Sequence, residues 1–309
     1  MPALQPAAET TATFAAALDK VGEHFVNVLY FDGGRYVIAA GVMTLLLVIF
    51  RRWAGDRRIQ RKRQASFADY RREILSSART VLVFGVTTLA TLIGREMGII
   101  NLTLDGAAIG TIVWQAIVIV LVHDAYFYWI HRAMHSKALF RLTHLHHHKS
   151  RTPTPWTAYS FSSAEAAFEA AFMPMFLLVT SLMGLSYAGY ALLFFLWHMI
   201  IRNVMAHAGH ELFPSGWVES PWMRWISTTT HHDLHHSSGH NYGFYFTWWD
   251  KWMGTEHPRY AEEFAKNARP LRWPMAGRPA ERAAVIALIL VAVSASLGLL
   301  SPDSLALIA

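Results

Sequence analysis

Eight histidines stand in short repeating patterns and a ninth lies between them. His131 and His135 are four apart in HRAMH, His144, His147 and His148 form H-x-x-H-H in HLHHH, and His232, His235 and His236 repeat that spacing in HDLHH. His207 sits alone between these clusters in NVMAHAGHE. Of the 17 histidines, all but His24 lie between residues 123 and 257. Burying an imidazole costs free energy unless its nitrogens find partners, and a metal ion is such a partner. One tetrahedral zinc takes four ligands. Nine nitrogens therefore suit two metals with open positions, and chance clustering explains them poorly.

On an α-helix, HxxxH places two imidazoles on one face and HxxHH places three within about 100°. The spacing thus predicts clusters carried by separate helices. Asp124, Tyr128, His131 and His135 fall on a stripe about 60° wide. A carboxylate on that stripe can orient a ligand imidazole through its second N–H. The competing reading is an interfacial aspartate held by a helix terminus or by Arg132. His210 and His231 are intermediate: each could be an extra ligand, a proton donor or a partner of a ligand. His123 and His198 read as satisfied core or interface residues, His146 as facing solvent, and His24, His240 and His257 as non-ligands.

The elements that must position these residues are apolar. Apolar runs occur at 35–50, 80–95, 107–130, 166–183, 185–201 and 283–300, against the roughly 20 residues that a spanning helix needs. The 107–130 run is the clearest. The 80–95 run is short and followed by Arg95 and Glu96, which fits a half-inserted helix as well as a crossing one. Only Gly184 splits 166–183 from 185–201, which predicts a tight helical hairpin. The last run reads as a C-terminal span. The chain is 53% hydrophobic and 16% charged, where a soluble domain is about 25% charged. Both values point to a membrane protein.

Charge fixes an orientation. Between Arg51 and Arg79 there are ten basic residues and three acids, more than the net +6 of the whole chain. Following an apolar span directly, this patch reads as a cytoplasmic juxtamembrane loop and not as a nucleic-acid surface. Six crossings then place residue 1 outside, and loop 131–165 and segment 202–282 on the cytoplasmic face. Both histidine-rich regions share that face, although the count makes no use of histidine. The first Lys or Arg is Lys20, which argues against a cleaved signal peptide. The chain divides into a loosely ordered segment 1–33, membrane helices with the basic loop over 34–106, a histidine-bearing catalytic unit over 107–258, and a polar connector with a C-terminal helix over 259–309.

Absences narrow the chemistry. There is no cysteine, so thiolate sites, disulfides and thiol nucleophiles are excluded. Imidazole suits Zn, Cu, Fe or Ni. A membrane metalloprotease would show HExxH or HxxEH, and HAGHE at 207–211 has the wrong order. A haem protein would pair histidines on facing helices inside the bilayer, and a transporter would place ligands at its midplane. A nitrogen-rich pair of irons activating O2 beside a lipid remains. Its rival is a non-redox zinc-binding membrane protein, hydrolytic or structural. Trp156, Trp248 and Trp249 read first as an interfacial aromatic belt and second as a substrate entrance.

Over about 107–258 the chain resembles the fatty acid hydroxylase/sterol desaturase superfamily of membrane di-iron oxygenases. The resemblance rests on HDAYFYWIHRAMH, THLHHHKSRTPTPWTAYSFSSAEA, NVMAHAGHELFP and HHDLHHSSGHNYGFYFTWWDKWMGT. It implies an all-α, polytopic helical membrane fold with a cytosolic helical cap carrying a histidine-rich dimetal site. It places metal ligands at His131, His135, His144, His147, His148, His207, His232, His235 and His236. It implies two Fe ions, with Zn able to occupy the same nitrogens, and O2 as co-substrate. The implied activity is hydroxylation or desaturation of an unactivated C–H bond in a membrane lipid. That lipid could be an acyl chain, a sterol-like terpenoid, a carotenoid or an ether lipid. One departure stands out. Some members carry a histidine four residues before the position of His207, where this chain has Asn203, so a tenth ligand is absent or supplied by His210 or His231. No fused cytochrome b5 domain is evident, which implies a separate ferredoxin- or cytochrome-type electron donor with a reductase.

Overall fold

A computed structural model describes residues 7–104 and 106–269. Helix α1 (Ala7–Ile49) is followed by the short α2 (Arg51–Asp56) and by α3 (Phe67–Glu96). A two-residue strand β1 (Leu102–Thr103) precedes α4 (Ile109–Met134). Helix α5 (Ser163–Leu182), strand β2 (Tyr187–Ala188) and α6 (Gly189–Ala206) complete the bundle. Helices α7 (Thr229–Ser238), α8 (Trp248–Met253) and α9 (Tyr260–Asn267) build a cap at one end. Among the described residues, five helices are long and apolar enough to cross a membrane: Val21–Ile49 of α1, and α3, α4, α5 and α6. The protein is a polytopic helical membrane protein. The expected span at 283–300 lies outside the described residues.

At the N-terminal end, α1 is helical from Ala7 and runs through the boundary placed at 33. Its apolar stretch supplies the reason: Val28 and Phe31 are buried, Phe31 against Tyr159 and Phe161. The 80–95 run is the second half of α3, whose 30 residues measure about 45 Å, enough to cross. The run looked short because the first turns of α3 are polar. Ser66 caps them, with its Oγ 3.2 Å from Asp69 N and its own N–H donating to Asp69 Oδ2 at 2.9 Å. Glu73, fully buried, accepts hydrogen bonds from Ser150 at 2.7 Å and Thr154 at 2.6 Å.

The turn between α5 and α6 forms where expected, with Gly184 at φ +75°, a conformation that favours glycine. The two helices do not pack as a tight hairpin: α5 lies mainly against α3 and α6 mainly against α4 and α1, with α4 touching both. β1 pairs in parallel with β2, tying the 97–108 connection to the start of α6 at the end away from the cap. At the other end the basic loop packs on the cap: Ile59 N–H donates to Gly209 O at 3.1 Å and Arg57 Nε to Glu211 O at 2.6 Å. The basic loop and both histidine regions therefore share one end of the bundle. Helix α9 packs in the cap core, with Tyr260, Phe264 and Ala268 against Phe213. The polar connector expected from 259 thus begins with a cap helix.

Candidate metal centre

The histidines reach one place from four different segments. His131 is in the last turn of α4 and His135 caps that helix. His207 caps α6, and His232, His235 and His236 lie on α7. HLHHH is not an α-helix, contrary to the helical reading of its spacing. Residues 136–146 run as successive turns into a short 3-10 helix, His147–Lys149. Pro153 and Pro155 keep the 3-10 turn from continuing into the next segment. The tight turns bring His144 and His147 to opposite sides of the seam.

Eight of the nine expected ligands form two tetrads. His131, His135, His144 and His235 make one, and His147, His207, His232 and His236 the other, with the ligand nitrogens of each within 4.8 Å of one another. The ninth, His148, is half-buried between them. Its ring lies 4.8 Å from that of His235 and 4.9 Å from that of His236. His210 and His231 join neither tetrad. His210 Nδ1 donates to Ala208 O at 3.0 Å, and fully buried His231 sets Nε2 3.4 Å from Asp250 Oδ2. Asn203 does not replace a tenth ligand. Its carbonyl accepts from His207 Nδ1 at 2.8 Å, and its side chain donates to Ala158 O at 2.8 Å.

Hydrogen bonds fix the tautomers. Three Nδ1 atoms donate to backbone carbonyls, which can only accept: His131 to Tyr242 O at 2.9 Å, His207 to Asn203 O at 2.8 Å and His235 to His240 O at 2.8 Å. Nε2 of each therefore carries the lone pair. His144 Nδ1 faces Glu165 Oε1 at 2.6 Å. The Nε2 atoms crowd together: His131 and His144 at 2.9 Å, His135 and His235 at 3.2 Å, His207 and His232 at 2.9 Å, His207 and His147 at 3.2 Å. Lone pairs pointed at each other at these distances repel, and a cation among them reverses the sign. Burial, followed by neighbouring imidazoles, holds His144, His147, His232, His235 and His236 well below the ordinary histidine value. Burial likewise brings His148 and His207 down to about 4. The rings are neutral at pH 7, the state that ligates. All donors being imidazole nitrogen, the residues fit iron or zinc.

Asp124 does something other than expected. Its carboxylate accepts from Tyr245 N–H at 2.8 Å, Phe246 N–H at 3.3 Å and Trp248 Nε1 at 2.9 Å, and touches no ligand histidine. Seven residues before His131, it lies about 10 Å away along the helix, too far to reach that ring. It pins the loop whose Tyr242 carbonyl orients His131. Asp250 secures the same loop, accepting from Tyr242 N–H at 2.8 Å and Gly243 N–H at 2.7 Å. A Cβ on Gly243 would sit 2.5 Å from Phe246 O, so only glycine fits there. The carboxylate that does orient a ligand ring is Glu165. Its one signal in the sequence is an acid at the start of an apolar run, three residues after a capping serine.

A narrow cavity of about 130 Å³ enters the bundle beside the tetrads. Phe127, Phe161 and Phe244 form part of its wall. The Phe127 ring packs 4.9 Å from His131, and Phe161 lies 5.3 Å from His147. Its lining does not include Trp156, Trp248 or Trp249.

Residues 116–255, which hold all nine expected ligands, match the family model described as fatty acid hydroxylase. This part of the chain is similar to the fatty acid hydroxylase family. The chain is similar to a Delta(7)-sterol 5(6)-desaturase of Gibberella zeae, 27% identical over 203 residues that cover 65% of this chain and 60% of the relative. The lathosterol oxidase of Rattus norvegicus is 30% identical over 137 residues, 44% of this chain and 42% of the relative. A Delta(7)-sterol 5(6)-desaturase of Aspergillus fumigatus is 26% identical over 65% of this chain and 67% of its own length. The chain thus spans about 60% of the first relative and 42% of the second. No solved structure matches it. The matched region stops short of α9, which nevertheless completes the cap core.

Proposed function

We propose that this protein is a membrane-bound di-iron oxygenase that hydroxylates or desaturates a lipid at an unactivated C–H bond. The observation that carries this reading is the pair of histidine tetrads beside an apolar cavity between membrane-length helices, joined to it through Phe127 and Phe161. Bound to these nitrogens, two irons would supply O2 reduction with external electrons and oxidation of a C–H bond. The chain's own residues do the rest. Tyr242 O, Asn203 O, His240 O and Glu165 keep Nε2 of their histidines unprotonated and aimed inward. Phe127, Phe161 and Phe244 exclude water and leave an apolar path for a lipid entering laterally. The relatives named as sterol desaturases and lathosterol oxidases support a lipid substrate.

The same reading assigns His131, His135, His144, His147, His148, His207, His232, His235 and His236 to the metals. It places the tetrads on the cytoplasmic face, where the basic loop packed on the cap belongs by the positive-inside rule. A separate ferredoxin- or cytochrome-type protein would deliver electrons there. The zinc hydrolase reading lacks a base, because both tetrads consist of histidine alone and Glu165 is engaged with His144 Nδ1. The test is metal content per chain after anaerobic, iron-supplemented expression, with lipid profiles of cells that have and lack the protein. About two irons and a changed lipid are expected. Two zincs that iron does not displace would overturn the reading.

A further inference from the structure

The cavity wall is largely phenylalanine, leucine and methionine, and most of its polar groups are already engaged. Asp32 pairs with Arg35, and Arg35 Nη1 donates to Leu196 O at 2.8 Å. Thr87 and Thr91 donate to carbonyls of their own helix at 3.1 Å and 3.0 Å. The Asn203 amide is held by Ala158 O. Three groups differ. Tyr159 Oη and His123 Nδ1 are buried in the wall without a hydrogen-bond partner. Among the described residues the Glu169 carboxyl has no hydrogen bond and no ion pair, and of the three it is the one that can carry charge as an acid, in the second turn of an apolar helix. An acid inside a membrane span is costly and calls for a partner.

Its position says which end of a ligand it would meet. Glu169 is four residues after Glu165, hence on the same face of α5 and about 6 Å deeper along the axis. Glu165 touches His144 of the first tetrad. A group bound to Glu169 therefore sits one helical turn below the metal centre, inside the bundle. The acyl chain of a phospholipid cannot place a polar atom there, because its headgroup stays at the membrane surface. A lipid alcohol can, since one hydroxyl at the end of an apolar body enters such a cavity and finds both its donor and its acceptor needs met by a carboxyl.

We propose that Glu169 is the specificity-determining residue of this cavity, hydrogen-bonding the hydroxyl of a lipid alcohol so that carbons near that hydroxyl face the tetrads. The facing of carbons rests on the oxygenase reading; the binding of the alcohol does not. At about 130 Å³ the cavity takes only the hydroxyl-bearing end of such a ligand, whose apolar body is rigid in a sterol and flexible in a long-chain alcohol.

The full-length protein in detergent, tested by competition against radiolabelled cholesterol and, separately, radiolabelled hexadecanol, separates these cases. The competitors are cholesterol and 5-cholestene, which lacks the hydroxyl, and hexadecanol and hexadecane. The wild type should prefer an alcohol over its hydrocarbon, and Glu169→Met, close in shape, should lose about tenfold of that preference, the scale of one hydrogen bond in an apolar site. Glu169→Gln, which keeps a donor and an acceptor, should retain it. Preference confined to the cholesterol pair identifies a rigid sterol-like ligand, and confined to the hexadecanol pair a linear one. An unchanged preference in Glu169→Met, or no binding of either alcohol by the wild type, overturns the proposal. Metal content, measured on the same samples, should be equal in all three proteins. Alcohol binding without iron would sink the oxygenase reading and leave Glu169 as the anchor.

Discussion

Glu165 Oε1 lies 2.6 Å from His144 Nδ1, across 21 residues of sequence and at the junction of a membrane helix with the turns of the cap. Both groups are buried. The carboxylate fixes which nitrogen of His144 is free and makes that nitrogen more basic. Partners of this kind are worth 10–100-fold in metal affinity. Glu165→Ala should weaken metal binding by about that factor, with Glu165→Gln closer to the parent because its amide oxygen can still accept. Chelator competition measures both.

The division into tetrads makes the ligands unequal. His147 belongs to one tetrad and His235 to the other. His147→Ala and His235→Ala should each cost one of two metals and abolish lipid oxidation. Metal analysis beside product detection checks this, and full activity in either variant would remove the assignment.

His148 stands between the tetrads, with its Nε2 3.0 Å from that of His235. Four other histidines complete each tetrad without it. His148→Ala should retain close to two metals while product formation falls. A metal count equal to that of His147→Ala would instead make His148 an indispensable ligand.

Asp124 acts on the loop and not on a ring. Asp124→Ala leaves the buried donors Tyr245 N–H, Phe246 N–H and Trp248 Nε1–H without an acceptor. Each lost partner costs about 1–3 kcal/mol. Thermal unfolding of the metal-free protein should show the loss, which a role confined to orienting a metal ligand would not produce.

Gly243→Ala tests the same loop from the backbone side. The added methyl would meet Phe246 O and Asp250 Oδ2 at 2.5 Å and 2.7 Å. The loop must shift, and with it the Tyr242 carbonyl that holds His131. Lower stability and weaker binding at the first tetrad are expected together, read by thermal unfolding and by metal titration.

Much of this protein is written in its sequence. Apolar runs of membrane length mark α4, α5 and α6, because a bilayer demands continuous hydrophobic surface. Histidine spacing marks the nine imidazoles, because few other arrangements repay burying them. The charge of the 51–79 loop puts both histidine regions at one end of the bundle. Tertiary structure decided what periodicity cannot carry. HLHHH has helical spacing but folds as turns, since its histidines serve two separate tetrads, a tertiary demand that overrides local preference. Asp124 shares a helical stripe with His131, yet the nearest unpaired donors belong to a loop more than a hundred residues away. Glu165 and Glu169 look alike in sequence as acids in an apolar run. Only the packing of α5 gives the first a histidine and leaves the second facing a cavity, because hydrogen bonds between distant segments depend on where helices meet, and no local pattern records that.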